Sequence, residues 1–139
     1  MKSISNTPSR RLANLVPDEL KGRDYVKPTV GDVYTIDKIV YSVYPARDKT
    51  THEIITSQKG NTIYRVTAYI GFDGDKYATS NADVVIDQLV TETGTFDDHT
   101  EGYYAFDADC KVKIATASRT YGKGDTAKQV PIWAFAPLD

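Results

Sequence analysis

Apolar and polar positions alternate along most of the chain from Gly31 onward. Residues 32–44 read Asp-Val-Tyr-Thr-Ile-Asp-Lys-Ile-Val-Tyr-Ser-Val-Tyr, a run whose β-branched and aromatic residues favour a strand. Its parity changes midway: Tyr34 and Ile36 share one side, whereas Ile39, Tyr41 and Val43 share the other. One extra residue near Asp37-Lys38 reconciles the two sets, so a β-bulge is predicted there, and with it a bend. Residues 45–61 are polar and read as a loop, with a short strand at 53–56. A second strand follows at 62–72, with Val66, Ala68, Ile70 and Phe72 on one face and Arg65, Thr67 and Tyr69 on the other. Asp73-Gly74 is the dipeptide that tight hairpin turns prefer, and residues 76–79 return as a third strand.

The period then changes. Ala82, Val85, Ile86, Leu89 and Val90 fall at i, i+3, i+4, i+7 and i+8, the stripe of an amphipathic helix. Ser80 with Asp83 three residues on resembles a capping box, and Gly94 is placed to end the helix. A helix is predicted over 81–93. The acid-rich stretch 95–109 reads as a loop leading into a strand at 110–119, where Val112, Ile114 and Thr116 oppose Lys111, Lys113 and Ala115. A Gly-rich turn at 121–125 precedes a final strand at 129–136. Pro131 marks that strand as an edge or as a strand start.

Residues 1–30 have a different texture. They hold Pro8, Pro17 and Pro28 and the basic residues Lys2, Arg10, Arg11, Lys21, Arg23 and Lys27. They read as an arm with a loose tip at 1–8. Near 11–21, Leu12, Leu15, Val16 and Leu20 support short helical turns that Pro17 limits. Residues 31–139 then form the body. Three strands, a helix and two strands are in the order of the OB-fold. The expected class is therefore mainly β: a five-stranded antiparallel OB-fold-like Greek-key barrel with one helix between strands three and four.

Composition narrows the function. The net charge is −2, which excludes a protein that coats nucleic acid through bulk positive charge. The charge is uneven: residues 73–109 set only Lys76 against ten acids, whereas residues 1–72 carry eleven basic and seven acidic side chains. One cysteine, Cys110, excludes an internal disulfide framework, and two histidines leave little for histidine-based catalysis. No apolar run approaches the length of about 20 residues that a membrane span needs, and residues 1–6 lack the apolar stretch of a signal peptide. A soluble intracellular protein is expected. Asp97, Asp98, His99 and Glu101, or Asp73 and Asp75, do not match a calcium loop. Gly71-x-x-Gly74 and Gly122-x-Gly124 lack the context of phosphate loops. No catalytic residue, metal or cofactor is expected, and Trp133 reads as a packing residue.

Basic residues interleaved with aromatics form the one constellation above background. Tyr41, Tyr44, Arg47 and Lys49 end strand one and begin its loop. Arg65 and Tyr69 share the non-core face of strand two, and Lys76 and Tyr77 follow the hairpin. Arg119, Tyr121 and Lys123 lie at the last turn. Aromatic rings on which bases stack, set among cations that track phosphates, are what single strands bind. Two segments also resemble the OB-fold single-stranded DNA-binding proteins of bacteriophages. They are Gly31-Asp-Val-Tyr-Thr-Ile36, and Asp73-Gly-Asp-Lys-Tyr-Ala-Thr-Ser80 running into Val84-Val-Ile-Asp-Gln-Leu89. That resemblance implies binding of single-stranded DNA without sequence preference, in phage replication or recombination. It also implies use of the strand two–three face, self-association (a dimer being the simplest form) and residence in the host cytoplasm. A non-enzymatic phage structural or assembly component is the alternative, and an inhibitor acting by charge mimicry through 73–109 is a third.

Overall fold

The long alternating runs become strands joined in one sheet, whereas the short strand expected at 53–56 forms only isolated bridges, Arg47↔Ile54 and Thr56↔Thr62. The computed structural model describes residues 2–5, 16–48, 50–122 and 124–137. In chain order the elements are β1 (Lys2–Ser5), β2 (Asp24–Tyr25), β3 (Val33–Pro45), β4 (Tyr64–Phe72), β5 (Lys76–Ser80), α1 (Asp83–Thr93), β6 (Gly102–Tyr121) and β7 (Lys128–Pro137). Among the described residues the sheet has seven strands. Six follow the order β1-β6-β3-β4-β5-β2, and β7 pairs with β6 off that path. It curls into a half-barrel with α1 packed against its inner face.

This architecture corrects the expected five-stranded antiparallel barrel in two respects. The arm contributes β1, which pairs with β6 from Lys2↔Phe106 to Ser5↔Tyr103, within the tip at 1–8 that was expected to be loose; residues 1 and 6–8 of that tip lie outside the described residues. It also contributes β2, which runs parallel to β5 (Asp24↔Lys76, Tyr25↔Tyr77) and makes the sheet mixed. The expected turns at Leu12 and Leu15 lie outside the described residues, while a single turn of 3-10 helix occupies Asp18–Leu20. Strand β6 is also longer than the expected 110–119. Tyr104 and Phe106 alternate into the core, so the strand begins at Gly102.

The bulge lies where the parity changes. The β3 ladders to β4 and to β6 both shift register between Ile36 and Lys38. Ile36 on one side of the shift and Ile39, Tyr41 and Val43 on the other therefore all reach the inner core. The β4–β5 hairpin turns on Asp73 (φ 56°) and Gly74 (φ 79°), the two positive dihedrals of a type I′ turn. Val85 and Leu89 of α1 are buried against the sheet, and Gly94 caps the helix with φ 81°. Ser80 is not the cap. It ends β5 and accepts the Ala82 N–H at 3.2 Å, and Ala82 takes the N-cap position without a side-chain bond.

A second cluster covers the outer face. Leu20, Val40, Tyr69, Tyr103 and Ala105 are buried together, with Val16 and Tyr77 against them. The segment that supplies Leu20 is tied down by Arg23. Its Nη1 donates to Asp37 Oδ1 at 2.8 Å and its Nη2 to Asp37 Oδ2 at 2.6 Å. Asp37 sits in the β3 bulge and also accepts the Gly74 N–H at 3.2 Å. Gly71 lies beneath the segment. A Cβ there would stand 2.6 Å from Arg23 Nη1 and 3.0 Å from both Leu20 Cδ2 and Lys38 Cβ, so the close approach selects glycine.

Two tests follow from the tie. Gly71→Ala is expected to lower stability in urea unfolding by about 1–3 kcal/mol, through overpacking. The Arg23 guanidinium, followed by the Gly74 amide, holds the Asp37 carboxyl below the ordinary carboxylate range. Its contribution to stability is present above the unfolded value of about 3.9 and is lost as pH falls through the lowered folded value. Unfolding followed between about pH 5 and pH 2 should show the parent losing more stability than Asp37→Asn. Equal losses contradict the tie.

Candidate functional site

The face nominated for strands two and three is not open. Tyr69 points away from the inner core, as its parity requires, but it is only 5 % exposed because the outer cluster around Leu20 covers it. Tyr77 is half-buried against the same cluster, and its ring meets Tyr25 edge-on at 5.5 Å. Tyr41 belongs to the inner core at 0 % exposure. It stacks on Phe96 at 4.0 Å, its hydroxyl bonds Thr93 Oγ1 at 2.9 Å, and burial pushes the phenol up to about 12. Neither Tyr41 nor Tyr69 offers a ring face to a ligand. Both are structural residues here, one between sheet and α1, the other between sheet and arm.

The other nominated residues are dispersed. Tyr44 is half-buried with its hydroxyl bonded to Thr67 Oγ1 at 2.9 Å. Arg65 lies opposite it in the ladder and is exposed. Exposed Arg47 donates to the His52 carbonyl at 2.9 Å, and Lys76 pairs with Asp75 at 3.0 Å. Lys49 and Lys123 lie outside the described residues, and Tyr121 ends β6 opposite Lys128. The acidic loop folds on itself, with the Asp97 carboxylate accepting the His99 N–H at 2.9 Å and the Thr100 hydroxyl at 2.6 Å. The Cys110 thiol is half-buried. Burial raises its pKa, with Glu92 and Asp109 adding to the shift, the reverse of an activated nucleophile.

The built concavity lies elsewhere, at the seam where the half-barrel stays open. Strands β5 and β7 are the third and fifth of the expected barrel, and they do not pair among the described residues. A groove of ≈ 550 Å³ runs between them. One wall is the connection from β2 to β3, with Lys27, Pro28 and Val30. The other carries Thr116 of β6 and Pro131 and Trp133 of β7, and Thr79 and Ser80 of β5 close it. Val30 is 58 % exposed. Trp133 is half-buried, packed edge-on against Phe135 at 5.5 Å. Arg119 of β6 reaches the β5–α1 connection, where its Nη1 donates to Asn81 Oδ1 at 2.8 Å. A second groove of ≈ 750 Å³ continues past Ala82, Arg119 and Ile132 along α1.

Two features of β7 form the seam. Gln88 of α1 bonds both main-chain groups of Phe135: its Nε2 donates to the carbonyl at 2.7 Å and its Oε1 accepts the N–H at 2.9 Å. A side-chain amide thus stands in for a neighbouring strand at the buried end of β7. Pro131 has the same parity as Phe135, so its missing N–H falls on that same open edge. Beyond the reach of β3, β6 and β7 continue together as a two-stranded ribbon.

Of the residues nominated from sequence, Arg119 alone among those described lines the groove. Lys27 and Trp133 were missed as groove residues. The available signal was the shared parity of Pro131, Trp133 and Phe135 on an edge strand, which carries an inner face beyond the core. Comparison with protein-family models, with curated proteins and with solved structures finds no match to this chain. Among the described residues, no helix is long and apolar enough to cross a membrane.

Replacing Gln88 with Leu leaves the Phe135 N–H and carbonyl without this partner. Thermal or urea unfolding should show a loss of about 1–3 kcal/mol, together with faster exchange of the Phe135 amide. An unchanged variant contradicts the role given to Gln88 at the seam.

Proposed function

We propose that the protein binds single-stranded DNA without strong sequence preference, with the open seam as its groove. In this reading the half-barrel is OB-fold-like: β3, β4, β5, β6 and β7 are its five strands, and α1 lies between the third and fourth. The observation that carries the proposal is the groove's own chemistry. Lys27 and Arg119 flank it, Trp133 lines it, and Thr79, Ser80 and Thr116 supply hydroxyls. An aromatic surface in one groove with two cations suits a base stacked beside its phosphates. The net charge of −2 places the attraction in this local pair rather than in the whole surface. The resemblance to phage single-stranded DNA-binding proteins agrees in ligand class but not in location. The proposed ligand lies at the seam rather than on the face covered around Tyr69.

A second reading, a phage structural component, draws on apolar side chains left uncovered along one segment: Tyr25 at 59 %, Val30 at 58 % and Val33 at 48 % exposure. Such a row suits contact with another protein.

Trp133 is the single tryptophan of the chain, so its fluorescence reports on the groove directly. Oligo-dT at low salt is expected to quench it saturably. Lys27→Ala and Arg119→Ala should each make the dependence of log K on log salt shallower by about 0.7, the loss of one phosphate contact on a single strand. Binding by Trp133→Leu, followed by gel shift, should weaken by about 1–3 kcal/mol with little salt dependence. A parent protein that neither quenches nor shifts oligo-dT at low salt contradicts the proposal and favours the structural reading.

A further inference from the structure

The two grooves along the seam differ in charge, and one bond marks their boundary. Arg119 lines both, and its hydrogen bond to Asn81 spans from β6 to the β5–α1 connection. On the near side Lys27 is the other charged lining residue. On the far side the charged lining residues are Asp83 and Asp87, one helical turn apart and both exposed on α1. The far section is the larger, ≈ 750 against ≈ 550 Å³.

We infer that Asp83 and Asp87 determine how much of a single strand the groove holds, by stopping the phosphates at Arg119. This inference rests on the nucleic-acid reading of the same groove. A unit charge about 6 Å from a phosphate through a water-like dielectric changes affinity by roughly threefold. Salt screens that effect over about 10 Å at 0.1 M. In the near section Lys27 and Arg119 both favour phosphate. Past Arg119 two carboxylates oppose it, and further nucleotides gain nothing by advancing along α1. The strand therefore occupies the smaller, cationic section and turns outward at the Arg119–Asn81 bridge. The carboxylates act as an electrostatic stop: they set the occupied length and oppose phosphate more weakly in the near section, where Lys27 and Arg119 offset them.

The test compares the parent with the double variant Asp83→Asn, Asp87→Asn, both titrated with oligo-dT of increasing length while Trp133 fluorescence is read. Asparagine preserves size at two exposed positions; because Asp83 is the acid of the first turn of α1, the variant is first shown to unfold near the parent temperature. The shortest oligomers that quench, held in the near section, are expected to tighten by less than about threefold. Longer oligomers should bind the variant roughly tenfold tighter at low salt, about threefold for each carboxylate, and saturate it at more nucleotides per protein. The difference should vanish at high salt. Equal tightening at every length, the mark of a change in net charge alone, overturns the inference, as does an unchanged variant. A parent that is not quenched overturns the nucleic-acid reading and this inference together; a parent that is quenched, with a variant identical to it, overturns this inference only.

Discussion

The Asp37 carboxylate is the point on which the architecture turns. It sits in the β3 bulge, where both flanking ladders shift register. One set of oxygens receives the Arg23 guanidinium of the arm and the Gly74 amide of the β4–β5 hairpin. Three separate pieces of chain are thereby fixed to the place where the sheet bends. The bond is bidentate and charge-assisted, with the two side chains 13 % and 29 % exposed, and such geometry is stronger than an open surface pair. It acts beside the β2–β5 pairing, in which the Asp24 N–H donates to the Asp75 carbonyl at 3.0 Å and the Val26 N–H to the Tyr77 carbonyl at 2.9 Å, to hold Leu20 over Tyr69.

The position of the groove follows from that constraint. Once the arm crosses the outer face and β2 pairs with the first residues of β5, the outer face becomes a second core. Among the described residues the end of β5 nearest α1 has no second strand partner, and β7 does not pair with it. Gln88 satisfies the buried end of β7, and the rest of the seam opens to solvent as a lined groove. A cover on one face and a cleft at another are two consequences of one folding-back of the arm.

The parts of this fold that depend on local chemistry were legible in the sequence. The parity change from Ile36 to Ile39 located the bulge, Asp73-Gly74 located the turn, and Val85 and Leu89 located the buried helix face. Tyr41 carried its own warning, since it shares parity with Ile39 and Val43 and hence belongs inside. Tyr69 is different: alternation states which side of β4 it leaves, but not what lies on that side. The answer is Leu20, far away in sequence. Gly71 was the one local hint, because a glycine inside a strand marks a close approach. The seam was harder still. Its walls come from residues 27–30 and 131–133, and no short-range pattern joins segments that far apart.

Which face meets a single strand is the central claim, and one measurement addresses it directly. Backbone amide resonances followed during titration with oligo-dT should move at Thr79, Thr116 and Trp133 and stay in place at Thr67 and Tyr69. Movement at Arg65, Thr67 and Tyr69 with the seam unchanged would show that the arm yields the outer face to the ligand, and would contradict the account given for both the groove and its cover.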